Sequence, residues 1–220
     1  MIQGVIFDAD GTLLDSMMIW DEAGARYLKG LGIRPEPDLG KTLFSMTLEE
    51  GSAYLKKQYC LSETIEEIRK GVLSTVADFY RFEVQTKPGV QDFLQKLHEH
   101  CIPMVIATTG DKELLKTALK RLNIQIYFKQ IFTCTEFNTS KKESYIYEKA
   151  AEYLHTGIMN TFVFEDALHA LLSASKRGFP TVAVEDPASE KNKEEIKRNS
   201  DYYITDFSDF HDFWKFASGN

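Results

Sequence analysis

Cysteine is scarce in this chain: Cys60, Cys101 and Cys134 are the only three, an odd number at no metal-ligand spacing. That leaves no disulfide framework and no thiolate-ligated metal site, and it suits reduced thiols. Positive charge is in deficit, with 26 Lys and Arg against 33 Asp and Glu for a net charge of −7. A nucleic-acid groove or an anionic membrane surface would need a basic patch, so neither partner is expected. No apolar run reaches the ~18 residues of a membrane-spanning helix. The opening MIQGVIFDAD has no basic leader region and turns acidic before an apolar stretch can form, so the expected location is cytoplasmic. Histidine is absent from residues 15 to 81, and the five present, His98, His100, His155, His169 and His211, show no metal spacing and receive no role.

What is present is apolar residue in quantity. With 220 residues and 43% hydrophobic composition the chain can bury a large core, either as one domain with an insertion or as two domains. Short runs rich in Val, Ile and Phe read as buried strands at Gly4 to Phe7, Met104 to Ala107, Asn160 to Phe164 and Thr181 to Val184, with a last one within Asn199 to Thr205. Helical periodicity alternates with them, as in Val90, Phe93, Leu94, Leu97 and Cys101, and again in Leu114, Leu115, Ala118, Leu119 and Leu122. Such alternation predicts an α/β fold, a doubly wound parallel sheet with helices on both faces.

One long segment, residues 15–82, lacks a comparable strand and reads as an inserted helical domain, leaving 1–14 and 83–220 for the α/β core. Its helical signals are Leu28 and Leu31, the capping box Thr47-Leu48-Glu49-Glu50, and Ile65, Ile68, Val72 and Val76. Lys87-Pro88-Gly89-Val90 marks the turn into the next core helix. Met17, Met18, Trp20, Phe44 and Met46 read as packing or as an apolar lining, and Lys41 as a speculative substrate contact.

In open α/β sheets ligands bind beyond the carboxyl ends of the strands. Polar residues follow the apolar runs directly there: Asp8 and Asp10; Thr108, Thr109 and Gly110; Glu165 and Asp166; Glu185 and Asp186. Carboxylates at adjacent strand ends call for a cation, and a hard divalent ion such as Mg2+ accepts carboxylates, carbonyls and phosphate oxygens. Ala9 and Gly11 would let the loop turn tightly with its N–H groups inward, the geometry of an anion nest. Glu185 and Asp186 read instead as a solvated loop, and Lys141 has the alternative reading of an exposed lysine in a capping box, Ser140 to Glu143.

The run Asp8-Ala9-Asp10-Gly11-Thr12 after an apolar strand resembles the first motif of the haloacid dehalogenase-like hydrolases. Val105-Ile106-Ala107-Thr108 is similar to the second, Lys141 before Ile146-Tyr147 to the third, and Val163-Phe164-Glu165-Asp166 to the fourth. The third departs from the usual K-P-x-P-D, reading Lys141-Lys142-Glu143-Ser144-Tyr145, so Lys142 competes for the role, although spacing to Ile146-Tyr147 favours Lys141. The resemblance covers nearly the whole chain and is strongest to the branch of β-phosphoglucomutases and small-metabolite phosphatases. It implies a Rossmann-like core with a helical cap and a Mg2+ held by Asp8, Asp10, Glu165 and Asp166. Asp8 would be the nucleophile, Asp10 the acid and base, and Thr108, Thr109 and Lys141 the phosphate ligands. The implied activity is hydrolysis of a small phosphorylated metabolite by a monomer. An acid two residues after the nucleophile argues against dehalogenation, and the cap lacks the histidine of the β-phosphoglucomutases, which leaves a sugar phosphomutase second. A non-catalytic regulatory protein on the same fold is the reading of another class.

Overall fold

The computed structural model describes residues 1–43 and 46–219. Two compact units divide the chain, Met1–Asp15 with Gln85–Asn220, and Ser16–Val84.

In the first unit six parallel strands form one sheet, β1 (Gly4–Phe7), β4 (Met104–Thr108), β5 (Phe128–Thr133), β6 (Thr161–Glu165), β7 (Thr181–Val184) and β8 (Tyr202–Ile204). Their order is β5-β4-β1-β6-β7-β8, so β1 is central, with Phe7 level with Ile106 on one side and Phe164 on the other. This is the expected doubly wound α/β architecture. β1, β4, β6 and β7 are buried throughout, as strands covered on both faces must be. β5 was not expected; Lys129 and Gln130 are exposed at its outer end and break the apolar run.

Alternation along each strand sorts the two faces. Ile6, Val105, Ala107 and Val163 pack on Ile146, Tyr147, Ala150, Ala151 and Leu154 of helix α7 (Tyr145–Leu154). Phe7 and Phe164, of opposite parity, meet an aromatic cluster on the other face. There Phe93 of α5 (Val90–Glu99) sits 5.7 Å from the Phe164 ring and 5.1 Å from Phe213 of α10 (Phe210–Ser218). Gly89, at φ +79°, opens α5 where a Cβ would lie 2.5 Å from the Phe207 carbonyl carbon, so glycine is required on both conformational and steric grounds.

A two-stranded antiparallel ribbon, β2 (Leu14–Asp15) and β3 (Gln85–Thr86), stands apart from the main sheet and pairs Asp15 with Gln85. The chain leaves the first unit along one strand of this ribbon and returns along the other.

The second unit is helical: α1 (Met18–Gly30), α2 (Leu39–Leu43), α3 (Leu48–Gln58) and α4 (Ile65–Asp78), the last continued by a π-helical turn to Glu83. Capping boxes start α3 at Thr47 and α4 at Thr64, each with reciprocal bonds to a Glu three residues on. Ile19, Leu28, Leu55, Ile68, Val72 and Val76 form its buried interior, whereas Leu31 and Ile65 are exposed. A cavity of about 340 Å³ is lined by Trp20, Leu43, Met46, Leu48, Leu55 and Val72 among others. Trp20 and Met18 are exposed, Met17 and Met46 half-buried, and Phe44 lies outside the described residues. Lys41 is exposed and pairs with Asp38 at 2.9 Å. Among the described residues no helix is long and apolar enough to cross a membrane.

Candidate active site at the strand ends

Asp8 follows β1 directly, and its N–H donates to the Phe164 carbonyl at 2.9 Å, extending the β1–β6 register by one residue. By parity with Ile6 its side chain belongs to the face covered by α7, and Glu165 shares parity with Val163. The turn that leads into α7 carries Lys141, so strand alternation and chain path bring the acids and the lysine together. The Lys141 ammonium donates to Asp8 Oδ1 and, at 2.5 Å, to Glu165 Oε1. Tyr147, one turn into α7, donates its hydroxyl to the same Glu165 oxygen at 3.0 Å. Lys142 is exposed, so geometry distinguishes the two lysines.

Lys141 is only 4% exposed and the helix begins at Tyr145. The alternative reading, a capping box at Ser140, therefore does not open α7: Ser144 holds the cap position, four residues later, with no side-chain bond to a helix N–H, and its hydroxyl donates instead to Glu148 Oε1 at 2.7 Å. Lys141 is anchored instead through its carbonyl, which accepts from Ser173 Oγ at 2.7 Å.

The loop after Asp8 turns at Gly11, φ +82°, with Leu13 and Leu14 N–H groups donating to the Ala9 carbonyl. Thr12 Oγ1 then donates to Asp166 Oδ1 at 3.3 Å. Asp10 is half-buried and approaches the end of β4: a Cβ on Gly110 would lie 2.9 Å from Asp10 Oδ2 and 3.3 Å from Thr108 Oγ1. Thr108 is buried and accepts from the Gly110 N–H at 2.9 Å, whereas Thr109 is exposed.

Asp8, Glu165 and Asp166 are buried, and one carboxylate oxygen of each lies within 4.8 Å of the others. Burial pushes the Asp8 carboxyl well above its usual range, opposed by Lys141 and reinforced by Glu165, Asp166 and Asp10. Burial, then Glu165 and Asp186, push Asp166 up to about 7. Burial opposes the charge on Lys141, but Asp8 and Glu165 outweigh it and hold the ammonium protonated. One ammonium thus faces three acids, and an all-oxygen donor set short of positive charge fits a hard divalent cation.

Asp186 corrects the expectation of a solvated loop. It is 3% exposed and forms a 2.8 Å ion pair with Lys87, also buried. Glu185, half-buried, pairs with Lys193 at 2.6 Å. Nothing near Asp186 in sequence signals burial, because its partner lies 99 residues earlier, in the turn before α5.

A parallel sheet with a buried acid, an ammonium and a metal-suited carboxylate cluster at its central strand ends defines an α/β protein suited to holding an anionic group beside a hard cation. The chain belongs to the haloacid dehalogenase-like hydrolases, whose family pattern matches residues 5–184. It is 24% identical over 181 residues to the phosphorylated carbohydrates phosphatase of Thermotoga maritima, covering 82% of this chain and 84% of that one. With the phosphoglycolate phosphatase of Neisseria gonorrhoeae it shares 28% identity over 192 residues, 83% and 80% of the two chains. In fold it is similar to a Thermotoga maritima structure provisionally assigned as a β-phosphoglucomutase, with a TM-score of 0.84, 21% identity and coverage of 97% and 99%.

Proposed function

We propose that this hydrolase is a cytoplasmic, Mg2+-dependent phosphatase that cleaves a small phosphomonoester through an aspartyl phosphate on Asp8. The observation that carries the reading is the buried cluster of Asp8, Glu165 and Asp166, with the Lys141 ammonium paired to Asp8 and Glu165. In this reading an Asp8 carboxylate oxygen attacks phosphorus as the bond to the leaving oxygen breaks. Asp10 gives that oxygen its proton and then takes one from the water that hydrolyses the acyl phosphate. Thr108, Thr109 and Lys141 bind the non-bridging oxygens, where charge-assisted donors offset developing charge. Asp8, Glu165 and Asp166 through their carboxylates, and Asp10 through its backbone carbonyl, would hold the Mg2+, which neutralises phosphoryl charge when bound. Glu165 has a second task, since with Tyr147 it fixes the Lys141 ammonium.

Relatives named for phosphorylated carbohydrates and phosphoglycolate put small phosphorylated metabolites first on the test panel. The experiment is phosphate release from such a panel with Mg2+ and with EDTA, for wild type and Asp8→Asn. Metal-dependent release abolished by the substitution is the expected result. Wild-type rates surviving Asp8→Asn would sink the mechanism. Interconversion of sugar phosphates with a bisphosphate activator and little free phosphate would favour the mutase that the fold likeness raises.

A further inference from the structure

Lys87 sits where three segments of the core unit meet. Its N–H donates to the Leu13 carbonyl at 2.9 Å, at the end of the loop that carries Asp8 and Asp10. Its ammonium reaches the opposite way, to Asp186 Oδ2 at 2.8 Å and to the Glu185 carbonyl, at the carboxyl end of β7. Asp186 in turn organises the next turn: Oδ1 accepts from the Ala188 N–H at 2.9 Å, and its carbonyl accepts from the Ser189 N–H at 3.0 Å. Ser189 Oγ then donates to Asp166 Oδ2 at 3.5 Å, while Thr12 holds Asp166 Oδ1 from the other side. A continuous path therefore runs from the catalytic loop through Lys87, Asp186 and Ser189 to one of the three clustered acids.

Side-chain exposures of 7% and 1% put the Lys87–Asp186 pair out of water. Apolar residues of similar volume commonly stabilise such a place as well or better, so stability alone gives this pair no reason to be ionic. What apolar residues would not supply is the Asp186 carboxylate that caps the turn leading to Ser189 at the Ala188 N–H, with a buried ammonium to balance it.

We propose that Lys87 and Asp186 are positioning residues for the metal site, fixing the orientation of Asp166 through Ser189 and tying it to the loop of Asp8 and Asp10. The inference rests on the metal-assisted reading above, but its readout is metal affinity and not turnover. Loss of an outer partner of a metal ligand typically weakens binding by about 10–100-fold. Asp186→Asn also leaves the Lys87 ammonium uncompensated beside the site, which adds to the loss.

The test is isothermal titration of the full-length protein with Mg2+, alongside its melting temperature, for wild type, Asp186→Asn, Lys87→Arg and the double variant Lys87→Met/Asp186→Asn. The expected result is a Kd raised about 10–100-fold in Asp186→Asn, near wild type in Lys87→Arg, and between the two in the double variant. The double variant carries no unpaired charge, so it keeps the question open to measurement if Asp186→Asn does not fold. A lower melting temperature with Mg2+ Kd within about twofold of wild type in every folded variant would reduce the pair to a structural clamp and overturn the proposal. An active, metal-dependent wild type with that outcome defeats this inference alone, whereas a wild type that binds Mg2+ and releases no phosphate from any ester defeats the phosphatase reading.

Discussion

Replacing Lys141 by Met removes the one ammonium among the clustered acids while keeping most of the side-chain volume. Asp8, Glu165 and Asp166 have ligand oxygens within 4.8 Å of one another, and at an effective dielectric near 20 two unit charges at that distance repel by about 3.5 kcal/mol. The free energy appears either as repulsion or as proton uptake that relieves it. Breaking a buried ion pair from one side costs about 3–5 kcal/mol. At ~2–4 °C per kcal/mol for a chain of this size, the metal-free variant should melt roughly 6–20 °C below wild type at pH 7. Mg2+ should do the reverse: with the competing ammonium gone, the acids bind it more tightly, and saturating Mg2+ recovers much of the deficit, ~2.7 kcal/mol at 100 times Kd. Turnover should nonetheless fall about 10²–10³-fold, because the proposed donor to the phosphoryl oxygens is lost. Calorimetry with and without Mg2+, paired with phosphate release, separates these effects. A metal-free Lys141→Met protein as stable as wild type would refute the reasoning.

Three further outcomes are expected. Asp166 is raised from 3.8 to about 7 and Asp8 is raised in the same direction, so between about pH 4 and pH 7 the folded protein binds more protons than the unfolded chain. Metal-free stability should therefore fall as pH rises through that window, and saturating Mg2+ should flatten the dependence, which melting curves across pH would register. Gly110→Ala should displace the Asp10 carboxylate, which a new Cβ would approach to 2.9 Å, and lower kcat by about 100-fold with little change in Mg2+ affinity; an unchanged kcat would remove Asp10 from proton transfer. Thr64→Ala breaks the capping box of α4 and should cost about 1 kcal/mol of stability by denaturation, with phosphate release per folded molecule unchanged.

The parts of this molecule legible in sequence are those whose signal is local. β1, β4, β6 and β7 are buried on both faces, so Gly4 to Phe7 or Thr181 to Val184 could hardly read as anything else. The Asp8 to Thr12 run and the Glu165-Asp166 pair were equally visible, because strand and site adjoin in the chain. β5 was not, since Lys129 and Gln130 face outward at an edge where one exposed end is tolerated. Spacing to Ile146-Tyr147 already favours Lys141 over Lys142, and the path of the turn before α7 buries the first and leaves the second exposed. Lys87 and Asp186 were least legible, each being an ordinary surface residue type until a partner 99 positions away takes both out of water.

The ribbon of β2 and β3 places Asp15 directly opposite Gln85, so residues 16 to 84 enter and leave the core at one paired step. Antiparallel partners lie about 5 Å apart at their Cα atoms, a gap that a two-residue hairpin turn closes. The six-stranded sheet is therefore uninterrupted in its own connectivity, and the helical unit is a cassette: it can be lengthened, exchanged or trimmed to a turn without changing any strand's neighbour.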